Sequence, residues 1–190
     1  PRLWQIALLR STGLETFTGA RQSTAGNYAG CLPGGELRNW PMRINVVLNG
    51  KRQEWEVTPN EFLADTLRAH GCPSVKISCG DGVCGTCTVL LNGKPIVSCE
   101  YLTVRADGAE IVTVEGLGEE AEKIVDCLTR YGGEGCGYCA PGFVVLAYAL
   151  KQELKDPTYD DVKAYLDGNL CRCTGYIVRI EAVLDYLRMP

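Results

Sequence analysis

Eight of the eleven cysteines fall into two groups of four, and each group has enough thiolates to bind a metal centre. The first quartet is Cys79, Cys84, Cys87 and Cys99, and the second quartet is Cys136, Cys139, Cys171 and Cys173. The spacing of the first quartet, C-x4-C-x2-C with a distant fourth cysteine, is that of plant-type ferredoxins, which bind a 2Fe–2S cluster. Two such clusters on one chain would form a path for single electrons.

The loop of the first quartet has the composition that a cluster needs. Three thiolates within one short segment require the backbone to fold tightly around the metal, and Gly80, Gly82 and Gly85 permit positive φ and close approach. They also allow successive N–H groups to point at the sulfurs and stabilise negative charge. Zinc sites usually pair two short C-x2–4-C segments, so this spacing disfavours zinc.

The second quartet is less specific in its spacing. A C-x2-C pair such as Cys136 and Cys139 suits zinc, a redox dithiol or an iron–sulfur cluster. The tight pair Cys171 and Cys173 is unusual for zinc, and predicted helix starts next to the thiolates favour the anionic ligand state. Spacing alone therefore favours iron–sulfur over zinc and leaves zinc open.

Charge and composition argue against several other classes of protein. The formal net charge is −4 with both signs interspersed, so there is no basic stripe for nucleic acid and no polybasic segment for a membrane surface. The longest apolar run, Phe143 to Leu150, is too short to span a bilayer. The first residues lack the pattern of a secretory signal, so we expect a cytoplasmic location, where clustered cysteines bind metal more often than they form disulfides.

The sequence offers no groups for a reaction of its own. A single histidine, His70, excludes a Rieske-type site, which needs two imidazoles, and we expect it to be a surface or capping group at a helix end. No serine–histidine–acid set is available, and no GxGxxG motif follows a strand. We therefore expect no catalytic residue and no substrate or nucleotide pocket on this chain.

Three parts of the chain differ in pattern. Residues 1–41 show no sustained period, and two interpretations stay open: an extension upstream of a natural start near Met42, or a tail that wraps a partner subunit. Residues 42–115 predict a small mixed sheet with one helix across it, and residues 116–190 predict helices. The expectation is an α+β chain of two domains with a boundary near residue 116.

The predicted elements place both quartets. Asn49-Gly50 and Asn92-Gly93 each lie between strand-like runs and predict two hairpins, with a last strand over residues 110–114. We predict a helix over residues 61–70 with Asn60 as its cap. Four further helices are predicted near residues 119–131, 141–154, 158–167 and 176–188. Cys136 and Cys139 precede one helix and Cys171 and Cys173 precede another, so two facing helix starts would bring four thiolates to one point.

Three cysteines lie outside the quartets. Cys127 lies on an apolar helix face and is expected to be a small core residue, and Cys72 is expected to pack behind the first cluster. No role is predicted for Cys31.

Several blocks of this sequence resemble the iron–sulfur subunit of the molybdenum hydroxylases, the group of xanthine dehydrogenase, aldehyde oxidoreductase and carbon monoxide dehydrogenase. The resemblance covers residues 42–187. Its blocks are Thr66-Leu67-Arg68, Cys79 to Val89, Ser98-Cys99, Thr113 to Leu117, Cys136 to Gly142 and Gly168 to Tyr176. Blocks of this length in this order are highly specific to the family.

This resemblance implies a β-grasp domain of the plant-ferredoxin type followed by an all-α four-helix-bundle domain, each with one 2Fe–2S cluster. The first quartet would bind the cluster nearer FAD, and the second quartet the cluster nearer the molybdenum cofactor. Molybdopterin and FAD would lie on a large and a medium partner subunit. The chain would then be the electron-transfer subunit of a molybdenum-dependent oxidoreductase, with no substrate site of its own.

One position departs from the family pattern, and two other functions stay open. The family usually has glutamine before the C-x2-C pair, where its side chain contacts the pterin; this chain has Gly135, whose backbone could approach the cofactor closely. The alternatives are a free-standing two-cluster electron carrier, which would purify alone, and a zinc-stabilised interaction module, which would hold zinc at the second quartet.

Overall fold

The computed structural model describes residues 41–189, and apart from Pro41 the predictions for residues 1–41 lie outside them. The described chain contains one sheet and five α-helices. The sheet half and the helical half each have a hydrophobic core. The α+β class predicted from the sequence is confirmed.

Five strands form one mixed sheet. They are β1 (Met42–Leu48), β2 (Lys51–Val57), β3 (Thr88–Leu91), β4 (Lys94–Val97) and β5 (Glu110–Val112). The strand order is β2-β1-β5-β3-β4, in which β1 and β5 are parallel and the other neighbours are antiparallel. The parallel central pair makes β5 the strand that joins the two hairpins into one sheet.

Both hairpins turn where the sequence predicts. Asn49 and Gly50 have φ of 50° and 77°, and Asn92 and Gly93 have φ of 50° and 78°. Two consecutive residues with positive φ are typical of the type I′ turn, whose twist matches that of the flanking strands. In the second hairpin β4 stops at Val97, and Cys99 lies just after it in a short 3-10 turn, Ser98–Glu100.

One helix, α1 (Leu63–Ala69), packs its apolar face on the sheet, where Leu63 and Leu67 join Trp55 in the core. The prediction that Asn60 caps this helix is wrong. The N-cap residue is Phe62, which has no capping side chain. The carboxylate of Glu61 instead accepts hydrogen bonds from the Thr58 N–H and the Thr66 hydroxyl, and so stabilises the entry to the helix.

The second half contains four helices. They are α2 (Glu119–Arg130), α3 (Ala140–Glu153), α4 (Tyr159–Leu166) and α5 (Ile177–Leu187). Side chains from all four share one core. The gap predicted between the helices near residues 141–154 and 158–167 is confirmed: Asp156, before Pro157, has φ of 48°, and Thr158 starts α4 with a capping box to Asp161.

Helix α3 lies against the sheet. Leu90 of β3 packs with Val145 and Ala149 of α3 in a small apolar cluster between the two halves. This contact fixes the helix whose first turn follows Cys139 against the strand that follows Cys87. None of the helices in residues 41–189 is long and apolar enough to cross a membrane.

Candidate metal centres

The first quartet lies on the irregular loop between α1 and β3 and on the turn after β4. Its thiols approach each other in two pairs. The Cys84 thiol is close enough to Cys79 to lower its pKa, and the Cys87 thiol is close enough to Cys99 to raise its pKa. Cys87 and Cys99 are buried, whereas Cys79 and Cys84 are partly exposed. That all four cysteines bind one cluster stays a prediction.

Backbone N–H groups surround the exposed pair. The Asp81 N–H lies 3.4 Å from the Cys79 Sγ, and with the N–H groups of Cys84 and Val83 it lowers the Cys79 pKa to about 6. The glycines that the sequence singled out make this possible, since Gly80 and Gly82 have φ of 72° and 67°. This edge of the loop is therefore built to stabilise a thiolate.

In the buried pair, Cys87 and Cys99, the surroundings of Cys99 disfavour a thiolate. Burial raises the pKa of Cys99 to about 12, although the Gly82 N–H lowers it in part, and the neighbouring Cys87 raises it further. The Cys99 N–H lies 3.4 Å from the Cys87 Sγ. Two thiolates in this place need a positive centre beside them, because unpaired charge is costly when buried.

The second quartet lies before two helix starts, as predicted. Cys139 is the N-cap residue of α3, and Cys171 and Cys173 lie on the segment that leads into α5. The thiols again form two close pairs, Cys136 with Cys173 and Cys139 with Cys171. Cys136 and Cys173 are exposed, Cys171 is partly exposed and Cys139 is buried.

Local donors also favour thiolates at the second quartet. The Tyr138 N–H, followed by the Cys173 thiol, lowers the pKa of Cys136. Burial opposes ionisation of Cys171, but the Thr174 hydroxyl, 3.2 Å from its Sγ, and the N–H groups of Cys173 and Thr174 outweigh burial and lower its pKa to about 7. Cys136 and Cys171 thus differ from Cys139, whose pKa is raised by burial.

Gly135 fits the second quartet for a steric reason. A Cβ at this position would lie 2.5 Å from the Cβ of Cys173. No side chain fits this backbone without displacing a cysteine of the quartet. Glycine instead of the family's glutamine therefore suits the local structure, in which the chain before Cys136 lies close to Cys173.

The two quartets are joined by a direct main-chain contact. The N–H of Leu170, the residue before Cys171, donates to the carbonyl oxygen of Cys84 over 2.9 Å. Next to it, the Asn169 amide donates to the Gly85 carbonyl oxygen over 3.2 Å. Gly85 allows this approach, because a Cβ there would lie 2.2 Å from the carbonyl oxygen of Gly168.

A second contact links the same two loops. Tyr138, between the first two cysteines of the second quartet, donates its hydroxyl to the carbonyl oxygen of Ile77 over 2.8 Å. Ile77 lies two residues before Cys79. The pattern of the sequence identified the cysteines but did not indicate these contacts, because they join residues far apart in the chain.

One charged residue near the second quartet was also missed. Arg179, in the first turn of α5, is 2% exposed and lies beside Cys139. A usable signal existed: Arg179 occupies the helix face of Val183 and Tyr186, which are buried, so its charge interrupts an apolar stripe.

The remaining cysteines and the histidine have other surroundings. Cys127 is a core residue, as predicted, with no exposed surface. The Cys72 thiol is buried and accepts weak hydrogen bonds from Asn49 and Thr113. His70 is the C-cap residue of α1, and its ring stacks on Trp55 with centroids 4.6 Å apart.

The donor sets fit two-iron clusters. Among residues 41–189 no three His, Cys, Asp or Glu side chains are placed to bind one single ion. In a 2Fe–2S cluster with four cysteine ligands each iron takes two thiolates, and each quartet presents two close thiol pairs. Converging N–H groups supply the hydrogen bonds that such a cluster takes on its sulfurs.

Family models match both halves of the chain. Residues 46–112 match a 2Fe–2S iron–sulfur cluster binding domain, and residues 113–184 match a second 2Fe–2S binding domain. The first quartet lies in the first match and the second quartet in the second.

Individual proteins are similar over the same range. The nicotinate dehydrogenase small FeS subunit of Eubacterium barkeri is 42% identical over 146 residues, which are 75% of this chain and 92% of that protein. The xanthine dehydrogenase iron–sulfur-binding subunit of Escherichia coli O157:H7 is 38% identical, with 75% and 92% covered. A chain of quinoline 2-oxidoreductase from Pseudomonas putida 86 superposes with a TM-score of 0.73 and 42% identity, with 77% and 93% covered.

Proposed function

The chain belongs to the iron–sulfur subunits of the molybdenum hydroxylases, and on this premise we propose that it relays single electrons between molybdopterin and FAD sites on partner subunits. The proposed order of centres is molybdenum, the second quartet, the first quartet and FAD, and a relay of this kind can carry electrons either way. The chain itself has no part in substrate chemistry.

The eight cysteines are the proposed ligands of two 2Fe–2S clusters. Cys79, Cys84, Cys87 and Cys99 would hold one cluster, and Cys136, Cys139, Cys171 and Cys173 the other. When bound, each cluster accepts and releases one electron at a time. The thiol pairing supports this assignment, since each pair can serve one iron.

The observation that supports a relay best is the hydrogen bond from the Leu170 N–H to the Cys84 carbonyl oxygen. It connects a ligand of one quartet to the residue beside a ligand of the other, so few covalent bonds and one hydrogen bond separate the two centres. Each quartet also has a side that solvent reaches. In the second quartet Cys136 and Cys173 are exposed, and in the first quartet Cys79 and Cys84 are partly exposed. Electrons could therefore enter at one exposed side and leave at the other.

Exposed apolar side chains surround the second quartet and support a partner there. They are Tyr138, Leu170, Tyr176 and Ile177, of which Ile177 is 61% exposed. We assign this surface to the large molybdopterin-binding subunit and the loop of the first quartet to the medium FAD-binding subunit. A reducing cytoplasmic compartment suits so many free thiols.

The finer description of the fold is also a proposal. The parallel β1–β5 pair inside a five-stranded sheet crossed by α1 supports a β-grasp domain over residues 42–115. The shared core of α2 to α5 supports a four-helix bundle over residues 116–190.

Ligand substitution tests the assignment quartet by quartet. Cys99→Ser should remove the EPR signal of one cluster and leave the other, and Cys173→Ser should do the reverse. Cys127→Ala is the matched control, because this buried cysteine lies in the helical core and should keep both signals. Loss of both signals in the control, or of neither in the ligand variants, would contradict the assignment.

The relay is tested in the complex with its partner chains. A compound that reduces the FAD of the wild-type complex is first found among N-heterocycles and aldehydes of the kinds in the relatives' names. With that compound, Cys173→Ser should block FAD reduction while Cys127→Ala should not. FAD reduction at the wild-type rate in Cys173→Ser would overturn the proposed path.

A further inference from the structure

Arg179 is a charge in a place where proteins rarely leave one. Its side chain is 2% exposed, and its Nε donates to the carbonyl oxygen of Gly133 over 3.0 Å. The guanidinium carbon lies 4.8 Å from the centroid of the Phe143 ring. The Nη1 atom is buried and has no hydrogen-bond partner among the described residues.

No carboxylate among residues 41–189 pairs with this charge. Within residues 41–189 no ion pair involves Arg179, and the first turn of α5, which contains it, has no acidic residue. The N-terminus of a helix is itself a positive end, so α5 adds to the local positive potential instead of opposing it. A buried, unpaired charge strongly destabilises a fold. The position therefore calls for an anion.

The nearest candidate for the anion is the second quartet. The guanidinium lies over the Phe143 ring, and the Phe143 N–H donates to the Cys139 carbonyl oxygen over 3.1 Å. Gly133, which accepts from the Arg179 Nε, lies three residues before Cys136. Both contacts of the guanidinium are therefore on the segment that bears Cys136 and Cys139. A 2Fe–2S cluster with four thiolates is negative overall, and reduction adds one further negative charge.

We propose that Arg179 is the buried counter-charge of the second quartet and raises the reduction potential of the cluster bound there. The physical reason is that a fixed positive charge in a low-dielectric setting stabilises the more negative, reduced state more than the oxidised state. Arg179 is a positioning and tuning residue, since it acts beside the ligands and is not one of them. The inference rests on the ligand assignment proposed above.

The test is an EPR-monitored redox titration of the full-length chain loaded with iron and sulfide. Dithionite supplies each electron, and no bond is made or broken. Arg179→Met should shift the potential of the second cluster to a more negative value and leave that of the first cluster unchanged. Arg179→Lys, which keeps the charge, should retain most of the wild-type potential.

Arg172→Met is the matched control. Arg172 lies between Cys171 and Cys173 but is exposed to solvent, so water and salt screen its charge. Its removal should shift the potential of the second cluster much less than Arg179→Met does. Equal shifts in the two variants would overturn the proposal, and so would an unchanged potential in Arg179→Met.

Failure of the ligand assignment gives a different result. A wild-type chain without a second cluster signal would contradict the proposed function, whereas two signals with an unchanged potential in Arg179→Met contradict only this inference. If Arg179→Met does not retain the second cluster, the iron contents of Arg179→Lys and Arg179→Gln are compared instead. Lysine should restore the cluster and glutamine should not; equal loss in both would overturn a role for the charge.

Discussion

The main-chain N–H of Leu170 and the carbonyl oxygen of Cys84 form a hydrogen bond of 2.9 Å between the two cysteine-bearing loops. Asn169, beside Leu170, is 1% exposed and donates to the next carbonyl oxygen, that of Gly85. These two bonds fix the segment before Cys171 against the loop of the first quartet. The spacing of the two quartets is thus set by a main-chain hydrogen bond and by the buried amide side chain of Asn169.

Gly85 is the residue on which this contact depends, and Gly85→Ala should destabilise the chain. The new Cβ would lie 2.2 Å from the Gly168 carbonyl oxygen, in a residue with φ of 66°. Positive φ costs about 1–2 kcal/mol and overpacking about 1–3 kcal/mol more. Chemical denaturation of the full-length chain measures the loss.

Gly80→Ala is the control for Gly85→Ala. Gly80 has φ of 72° in the same loop, but a Cβ there would meet no atom within 4 Å. Only the cost of positive φ, about 1–2 kcal/mol, should remain. If both variants lose the same free energy of unfolding, close approach at Gly85 is not what stabilises the junction.

Gly142→Ala should destabilise the chain, although this substitution usually stabilises a helix. Alanine in place of a helical glycine ordinarily stabilises by about 1 kcal/mol. Here the Cβ would lie 2.5 Å and 2.6 Å from the carbonyl oxygens of Gly85 and Thr86. We expect a net loss of about 1–2 kcal/mol in the free energy of unfolding. A stabilised variant would show that α3 can move away from the loop.

Glu120 should make stability depend on pH in the acid range. Hydrogen bonds from Lys123 and then Tyr186 lower its pKa to about 2. Since the folded-state pKa lies below the unfolded value of about 4.3, the stabilisation is complete above about pH 5 and is lost as the pH falls toward 2. Glu120→Gln should be less stable than wild type at pH 7, with a difference that shrinks below pH 5.

The metal centres are acid-labile in every variant, so this loss cancels when the stability of one variant is compared with that of another. Melting temperatures are measured at each pH, with Glu119→Gln as the control because this side chain is exposed on the same helical turn. A difference between Glu120→Gln and wild type that stays constant from pH 7 to pH 3 would contradict the role of Glu120.

The sequence predicted what depends on local chemistry. Asn-Gly pairs favour type I′ turns, and both hairpins form there; the helix predicted to end near residue 154 ends at Glu153, before Pro157. The cap at Asn60 was wrong because Glu61, one residue later, satisfies the local donors with its carboxylate. Propensity alone could not decide between two neighbouring polar residues.

The rest could not be predicted because it depends on packing between distant segments. Nothing in the sequence near Leu170 indicates that its N–H donates to the Cys84 carbonyl oxygen, because each residue lies in a segment that reads as an ordinary loop. The apolar stripe that Arg179 interrupts indicates a buried position, but only the fold shows that its guanidinium contacts Gly133 and Phe143 near the second quartet. The proposed ligands followed from residue type and spacing, but their electrostatic surroundings required the structure.

The central claim, two 2Fe–2S clusters on one chain, is tested most directly by counting. Iron and acid-labile sulfide are measured on the purified full-length chain, and EPR spectra are recorded after reduction with dithionite. The account predicts about four iron and four sulfide per chain and two distinguishable 2Fe–2S signals. About two of each with a single signal, or zinc in the second quartet, would contradict it.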